Sequence, residues 1–202
     1  MTPDDLLALI RSRRSIRRYT PQPVLPEAIE RLLTAAVWAP SAHNRQPWRF
    51  VVVTAKDAQQ RLARAMGERL RADRLADGDA PAAVEADAAR SYARIIGAPV
   101  VIAVCVTMAD MDAYPDARRQ NAEYLMAVQS AAMAVQNLLL AAHAEGLGAC
   151  WMCAPLFCSE AVIGALGLPA EWQAQALVTV GYPASPGKPA SRRPLAEVVW
   201  PR

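Results

Sequence analysis

A long apolar segment in the second half of the chain constrains the fold more than any other feature. Residues 118–145 carry leucine, methionine, valine or alanine at most positions, almost all round a helical wheel. A helix of this kind must be covered on most sides. The stretch from Leu125 to Ala144 also contains two glutamines, an asparagine and a histidine, which favours a buried helix over a membrane span.

Shorter apolar runs predict strands, and segments with helical spacing lie between them. The strands are predicted at residues 48–54, 99–106, 149–152 and 176–180, and further helices at 26–38, 58–66 and 159–166. Strands that alternate with helices indicate an α/β or α+β fold around a small sheet. A length of 202 residues fits one domain, residues 1–202.

The segment of residues 66–95 differs from the rest of the chain. It is charged, rich in alanine and interrupted near Gly78–Pro81. This pattern fits a helical flap over a site, and it fits a surface insertion equally well. We therefore keep both interpretations.

Basic residues concentrate near the N-terminus, where five of the eight residues from Arg11 to Arg18 are arginine. Thr2 and Pro3, followed by two aspartates, make a strong helix start. The arginine cluster, residues 11–18, then falls on the last helical turn and the extended segment after it. A helix C-terminus repels anions, so guanidinium groups rather than backbone amides would hold a phosphate here. The alternative is that these cations only complement the helix dipole and stay solvated.

The C-terminal tail combines a basic, proline-rich linker with apolar residues. Arg192 and Arg193 are followed by Leu195, Val198, Val199 and Trp200. We expect these apolar side chains to dock on a surface that is already built, and a neighbouring subunit is a natural place for them.

Several functional classes lack their sequence signals. The chain has neither GxGxxG after a strand nor GxxxxGK[ST], which argues against nucleotide binding by a glycine-rich loop. A net charge of only +3, 6% aromatic residues and no recognised binding module argue against a nucleic-acid partner. His43 and His143 have no readable partners for a hydrolase triad.

The four cysteines, Cys105, Cys150, Cys153 and Cys158, fit reduced and mostly buried thiols. The CxxC spacing lacks a second pair, so structural thiols are favoured over a metal site or a redox pair. The N-terminus shows no signal-peptide pattern. We therefore expect a soluble, cytoplasmic protein with neither a bound metal nor a membrane partner.

The segment Pro40–Trp48 is a more specific candidate site. Prolines fix both of its ends, while Ser41, Asn44 and Gln46 offer donors and acceptors beside a predicted strand. Such a loop suits the polar edge of a planar ring. An ordinary polar turn explains it equally well.

Together, these motifs resemble the flavin-dependent nitroreductase family over essentially the full length. The stretches are RRSIR at 13–17, PSAHNRQPW at 40–48, GLGACW at 146–151 and RPLAEVV at 193–199. The resemblance implies an α+β fold with a central, mostly antiparallel sheet flanked by helices. It also implies an intertwined homodimer with a swapped C-terminal tail and two FMN sites at the interface.

The resemblance further implies which residues contact FMN. Near the phosphate and the ring edge it places Arg13, Arg14, Ser15 and Arg17, with Arg192 or Arg193 closing on the phosphate. The loop would reach the flavin held mainly by the other subunit, through Pro40, Ser41, Ala42 and Asn44. Backbone near Met152 and Cys153 would lie by the reactive flavin nitrogen. No side chain needs to act as a catalytic acid or base, because the cofactor carries the hydride.

Within that family, residues 36–53, 91–106 and 127–157 are most similar to domains that act in the biosynthesis of the deazaflavin coenzyme F-420. The likeness implies reduction of a dehydro precursor of that coenzyme, an anionic small molecule, by reduced FMN. No counterpart of the glutamate ligase domain found in those proteins occurs in this sequence, so we expect no glutamate ligation by this chain. The alternatives are a general NAD(P)H-dependent nitro or quinone reductase and a flavin-binding protein without turnover.

Overall fold

The computed structural model describes residues 2–201. Its helices are α1 Pro3–Ser12, α2 Pro26–Val37, α3 Lys56–Ala76, α4 Pro81–Ile96, α5 Ala117–Ala144 and α6 Ser159–Leu166. Its strands are β1 Trp48–Val53, β2 Val100–Val106, β3 Gly148–Met152 and β4 Gln173–Gly181. All three strand pairings are antiparallel, in the order β1-β2-β4-β3. The predicted α+β class is therefore confirmed.

The sheet separates two apolar cores because both of its faces are covered. Every residue of β2 is buried, and alternate side chains enter opposite cores. One core contains Leu32 of α2 and Leu138 of α5. The other contains Leu62 of α3 and Ile95 of α4. The long apolar run of β2 is thus the sequence signature of the central strand.

Helix α5 is the core helix predicted from the apolar segment, but the chain covers it on one side only. It packs against α2 and the sheet. Leu125 and Met133, on its other side, are 49% and 41% exposed. Of all the described helices, only α5 is long and apolar enough to cross a membrane, and its packing against the sheet explains that composition. The expectation of cover on most sides is wrong for the single chain.

Helix α1 forms as its sequence predicts but buries none of its residues. Thr2 and Asp5 make a reciprocal capping box at its start. The apolar side chains Leu6, Leu7 and Ile10 are each at least 40% exposed. Like the outer side of α5, this helix presents an apolar face that its own chain does not cover.

Helices α3 and α4 form an antiparallel hairpin that spans the predicted flap of residues 66–95. The base of the hairpin lies in the core, where Met66 and Ile95 are buried. Ion pairs tie its outer part together, Arg71 with Glu85 and Arg74 with Asp79. Whether this hairpin covers a site stays a prediction.

Candidate functional site

The segment after α1, which carries the arginine cluster, runs alongside β3. Ser15 and Ala149 form a parallel β-bridge, and the Ile16 amide donates to the Ala149 carbonyl at 3.0 Å. This approach is close because Gly148 has no side chain. A Cβ atom there would lie 2.7 Å from the Ile16 side chain. The cluster is therefore held on the outer edge of β3.

Tyr19 fixes the far end of the same segment. Its hydroxyl donates to the Ile16 carbonyl at 2.5 Å and lies 2.7 Å from the Thr179 hydroxyl. Burial raises the pKa of Tyr19, so the phenol stays protonated and remains a donor. One side chain thus ties the arginine segment to β4.

The linker that follows β4 folds back over the cluster. The Ala184 amide donates to the Arg18 carbonyl at 3.0 Å, and the Thr20 amide to the Tyr182 carbonyl at 2.9 Å. Gly187 then comes so close that a Cβ atom would lie 2.9 Å from the Arg14 side chain. The linker therefore forms a wall beside Arg14.

A cleft of about 340 Å³ opens between these elements, and Arg13, Arg14, His143 and Pro186 are among its lining residues. His143 Nε2 lies 2.8 Å from the Ser12 hydroxyl. Burial lowers the pKa of His143, and the nearby charges of Arg13 and Arg14 lower it further. The cleft is thus a positively charged environment with a neutral imidazole at its side.

The arginines of the cluster differ from most others in the chain. Within residues 2–201, no carboxylate lies within ion-pair distance of those at positions 11, 13, 14, 17 and 18. By contrast, Arg31 pairs with Glu145 at 2.5 Å and Arg45 with Asp112 at 2.8 Å. Positive charge without a protein counter-ion therefore concentrates on the segment that borders this cleft, and Arg13 and Arg14 line the cleft itself. Such a donor set suits an anion such as a phosphate.

Arg17 does not line the cleft. Burial raises the pKa of the Cys150 thiol, and the nearby charge of Arg17 opposes the rise. Cys150 and Cys105 are buried as predicted, whereas Cys153 is exposed and Cys158 only partly buried. Among residues 2–201, no three potential ligands are grouped as a metal site.

The loop of residues 40–47 has an unusual backbone. His43, Asn44 and Gln46 adopt φ values of 49°, 53° and 50°. Asparagine tolerates this left-handed region, but each such residue other than glycine costs about 1 to 3 kcal/mol. The Gln46 amide donates to the Ser41 hydroxyl at 3.0 Å, and the Ala42 amide to Ser130 on α5 at 3.2 Å. Surrounding contacts therefore hold an exposed, strained loop in place.

The loop and the arginine cluster lie at opposite edges and opposite ends of the sheet. Three strand spacings separate β1 from β3, about 14 Å. Beside the loop, Trp48 pairs with Val106 of β2. Beside the cluster, Ala149 pairs with Val180 of β4, which in turn pairs with Val100 of β2. The six residues from Val106 to Val100 add about 20 Å along the strand. The structure does not bring the predicted loop and cluster residues together within one chain.

The remaining predicted contacts lie apart from both groups. Met152 ends β3 and is half-buried, while Cys153 is exposed and accepts a hydrogen bond from the Trp151 indole at 2.6 Å. Arg192 and Arg193 are exposed on the tail and do not line the cleft.

Sequence reasoning missed several residues that shape the site. Tyr19, Ser130 and Gly187 each act through a partner that is distant in the chain. Tyr19, an aromatic residue next to the cluster, and Gly187, a glycine in the proline-rich linker, carried a local signal. Ser130 carried none, since it is one small residue within an apolar helix.

Comparison with known proteins agrees with this architecture. The family model described as the nitroreductase family matches residues 10–182. An NADH dehydrogenase of Thermus thermophilus is 33% identical, with 93% of this chain and 91% of that protein covered. A 5,6-dimethylbenzimidazole synthase of Rhodospirillum rubrum is also 33% identical, with 89% and 82% covered.

A solved structure matches over the same extent. A protein of Desulfovibrio desulfuricans, assigned as a nitroreductase and crystallised with FMN, superposes with a TM-score of 0.75 at 33% identity. The match covers 100% of this chain and 98% of that one. Family model, relatives and structure agree, and the chain belongs to the nitroreductase family.

Proposed function

We propose that this FMN-dependent oxidoreductase takes hydride from NAD(P)H and passes it to nitroaromatic or quinone acceptors. The active form is a soluble, cytoplasmic homodimer with two FMN sites shared between subunits. One observation carries the proposal. An arginine cluster without counter-ions and a strained polar loop lie at opposite corners of the same sheet, so a second copy of the chain is needed to bring the two together.

The residues of the cleft fit FMN. Arg13 and Arg14 line it and have no carboxylate partners among the described residues, which suits a phosphate. Ser15 and Arg17 continue along β3 toward Met152 and Cys153, so an extended cofactor has an edge to follow. We assign the phosphate to Arg13 and Arg14, and the ring edge to Ser15 and Arg17. Arg192 or Arg193 of the tail closes the phosphate site.

The uncovered apolar surfaces support a homodimer. The outer side of α5, the apolar face of α1 and the tail residues Leu195 and Trp200, 77% and 72% exposed, all lack cover in the single chain. Exposed apolar surface of this extent marks an interaction site. In the dimer, Pro40, Ser41, Ala42 and Asn44 of one subunit contact the flavin held by the other.

When bound, FMN supplies hydride acceptance and donation. The chain binds its phosphate through guanidinium groups, orients its ring through the backbone at the end of β3, and excludes water through the subunit interface. His143 already has a hydrogen-bond partner in Ser12, so we assign it no proton transfer. The nicotinamide donor is supported by the relative from Thermus thermophilus named as an NADH dehydrogenase.

Reduction of the dehydro precursor of coenzyme F-420 is the second candidate. The similarity of residues 36–53, 91–106 and 127–157 to domains of that pathway favours it. The charge distribution weakens it, because two of the arginines outside the cluster that could bind an extended anion already have carboxylate partners. Arg45 pairs with Asp112, and Arg71 pairs with Glu85.

Single-turnover kinetics separates these functions. The purified, FMN-loaded protein is reduced with NADH or NADPH without oxygen and then mixed with a quinone, a nitroarene or the dehydro precursor. We expect the quinone and the nitroarene to reoxidise the flavin rapidly. Reoxidation by the precursor alone would support the second candidate, and reoxidation by none would indicate a flavin-binding protein without turnover.

A further inference from the structure

We infer that Asp112 is a positioning residue that sets the conformation of the flavin-contacting loop, residues 40–47. The inference rests on the proposed function, in which this loop contacts FMN across the subunit interface. It concerns a residue outside the loop and outside the arginine cluster.

The loop cannot account for its own conformation. Three of its residues have positive φ, and its internal side-chain bonds are few. The Gln46 amide donates to Ser41 at 3.0 Å, and the Gln46 side chain approaches Asn44 only to 3.4 Å. The Asn44 and Arg45 amides close a short turn on the Ser41 and Ala42 carbonyls at 3.0 and 2.9 Å. A strained conformation persists only where its surroundings impose it, so this turn also needs support from outside the loop.

Four external contacts supply that support. At the β1 end of the loop, Arg49 donates to the Gln46 carbonyl at 3.1 Å, and the Thr107 amide donates to the Pro47 carbonyl at 2.9 Å.

The other two contacts hold the turn at residues 42–45 and lead to α5. The Ala42 amide donates to the hydroxyl of Ser130 at 3.2 Å, and this serine on α5 is only 1% exposed. At the other end of the turn, Arg45 donates to Asp112 Oδ1 at 2.8 Å. The turn of residues 42–44 is thus held on both sides.

Asp112 is itself fixed to α5. Its backbone amide donates at 3.2 Å to the carboxylate of Glu123, which is 1% exposed. Glu123 and Ser130 are seven residues apart on α5, which is two helical turns, so they share one face. Both supports of the turn at residues 42–45 therefore originate from one rigid helix.

A neighbouring ion pair offers a matched control. Asp110 lies in the same acidic segment and approaches Arg49 of β1 at 3.6 Å, with 65% of its side chain exposed. Arg49 donates to the Gln46 and Trp48 carbonyls at 3.1 and 2.8 Å, and these bonds do not involve Asp110. Exposed ion pairs of this kind contribute little, so loss of the Asp110 charge should leave Arg49 in place. The variants Asp110→Asn and Asp112→Asn make the same change of charge two residues apart.

The test is FMN affinity, measured by the quenching of flavin fluorescence with Asp112→Asn, Arg45→Gln, the double variant and Asp110→Asn. We expect each of the first two to raise the Kd about tenfold, and the double variant to raise it no further. The visible circular dichroism of bound FMN should change in these three variants. Asp110→Asn should match the wild-type Kd within twofold and keep its spectrum.

The outcomes separate this inference from the proposed function. Wild-type affinity and spectrum in Arg45→Gln, whose side chain is 43% exposed and can be replaced without unfolding the domain, overturn the inference and leave the function intact. Equal losses in Asp110→Asn and Asp112→Asn also overturn it, because Asp112 then has no effect beyond that of a neighbouring exposed carboxylate. A wild-type protein that binds no FMN overturns the function itself.

Discussion

The substitution Gly187→Ala adds one methyl group beside the cleft and so tests how closely the linker packs against Arg14. The φ of Gly187 is +82°, and an added Cβ would lie 2.9 Å from both the Arg14 Cβ and the Ile16 Cδ1. Gly78, at the tip of the α3–α4 hairpin, has nearly the same φ of +85° but nothing within 4 Å. Gly187→Ala and Gly78→Ala therefore share the backbone cost and differ in the clash.

The magnitudes follow from these contacts. Alanine in the left-handed region costs about 1 to 2 kcal/mol in both variants. Carbon atoms pack at about 3.5 to 4.0 Å, so Arg14 or the linker must move by roughly 0.6 to 1 Å, and overpacking of this kind costs about 1 to 3 kcal/mol more. A domain of this size loses about 2 to 4 °C in Tm per kcal/mol. We expect a Tm loss of about 2 to 8 °C for Gly78→Ala, and a further 2 to 12 °C for Gly187→Ala.

FMN affinity is the more specific measurement. In the proposed site, displacement of Arg14 lengthens its charge-assisted bond to the FMN phosphate, so Gly187→Ala should raise the FMN Kd about tenfold. Gly78→Ala should leave the Kd unchanged, since the hairpin tip is remote from the cleft. Thermal unfolding of the apoprotein and flavin titration measure the two effects separately. Equal Tm and equal Kd for the two variants would refute the assignment of the linker as a wall of the phosphate site.

Two further predictions concern the tail and His143. Truncation after Pro189 removes the exposed apolar tail residues together with Arg192 and Arg193, so analytical ultracentrifugation should show a monomeric or unstable protein without flavin. A stable, flavin-loaded monomer contradicts the shared site. Burial, Arg13 and Arg14 lower the pKa of His143 in the folded protein. As the pH falls through about 6.5, the unfolded chain therefore binds more protons than the folded chain, and the free energy of unfolding decreases. His143→Gln should therefore lose less Tm than the wild type between pH 7.5 and 5.5, whereas equal losses would show that His143 does not contribute.

The sequence predicts elements best where a local pattern has a single physical solution. The apolar run of β2 must be covered on both faces, and Thr2 with Pro3 begins a helix wherever the chain goes next. The same reasoning wrongly predicted that the chain covers α5 on most sides. Leu125 and Met133 are apolar, but a sequence does not reveal whether the same chain or a second copy covers them.

The site was predictable as a set of residue types and not as an arrangement. The arginine cluster and the polar loop are visible in the sequence. The pairing of Ser15 with Ala149, which joins distant parts of the chain, carries no local signal. The positive φ values of His43 and Gln46 could not be predicted from the sequence either, because these residue types do not indicate a left-handed backbone. The ion pair of Arg45 with Asp112, 67 residues apart in the chain, has no local signal either.

The central claim is that each FMN site takes its phosphate ligands from one chain and its loop from the other. A hybrid dimer tests it. One subunit carries Arg13→Ala and Arg17→Ala in the cluster, and the other carries Ser41→Ala and Asn44→Ala in the loop. If the sites are shared, one site of the hybrid combines the altered cluster of the first subunit with the altered loop of the second. The other site combines the two unaltered parts and carries no defect.

The measurement is the FMN content of hybrid dimers purified with two different affinity tags, compared with each variant homodimer at the same FMN concentration. We predict close to one FMN per hybrid dimer and close to none in either homodimer. If cluster and loop served a flavin within one chain, every site of the hybrid would carry a defect. A hybrid as empty as the homodimers would therefore contradict the shared site.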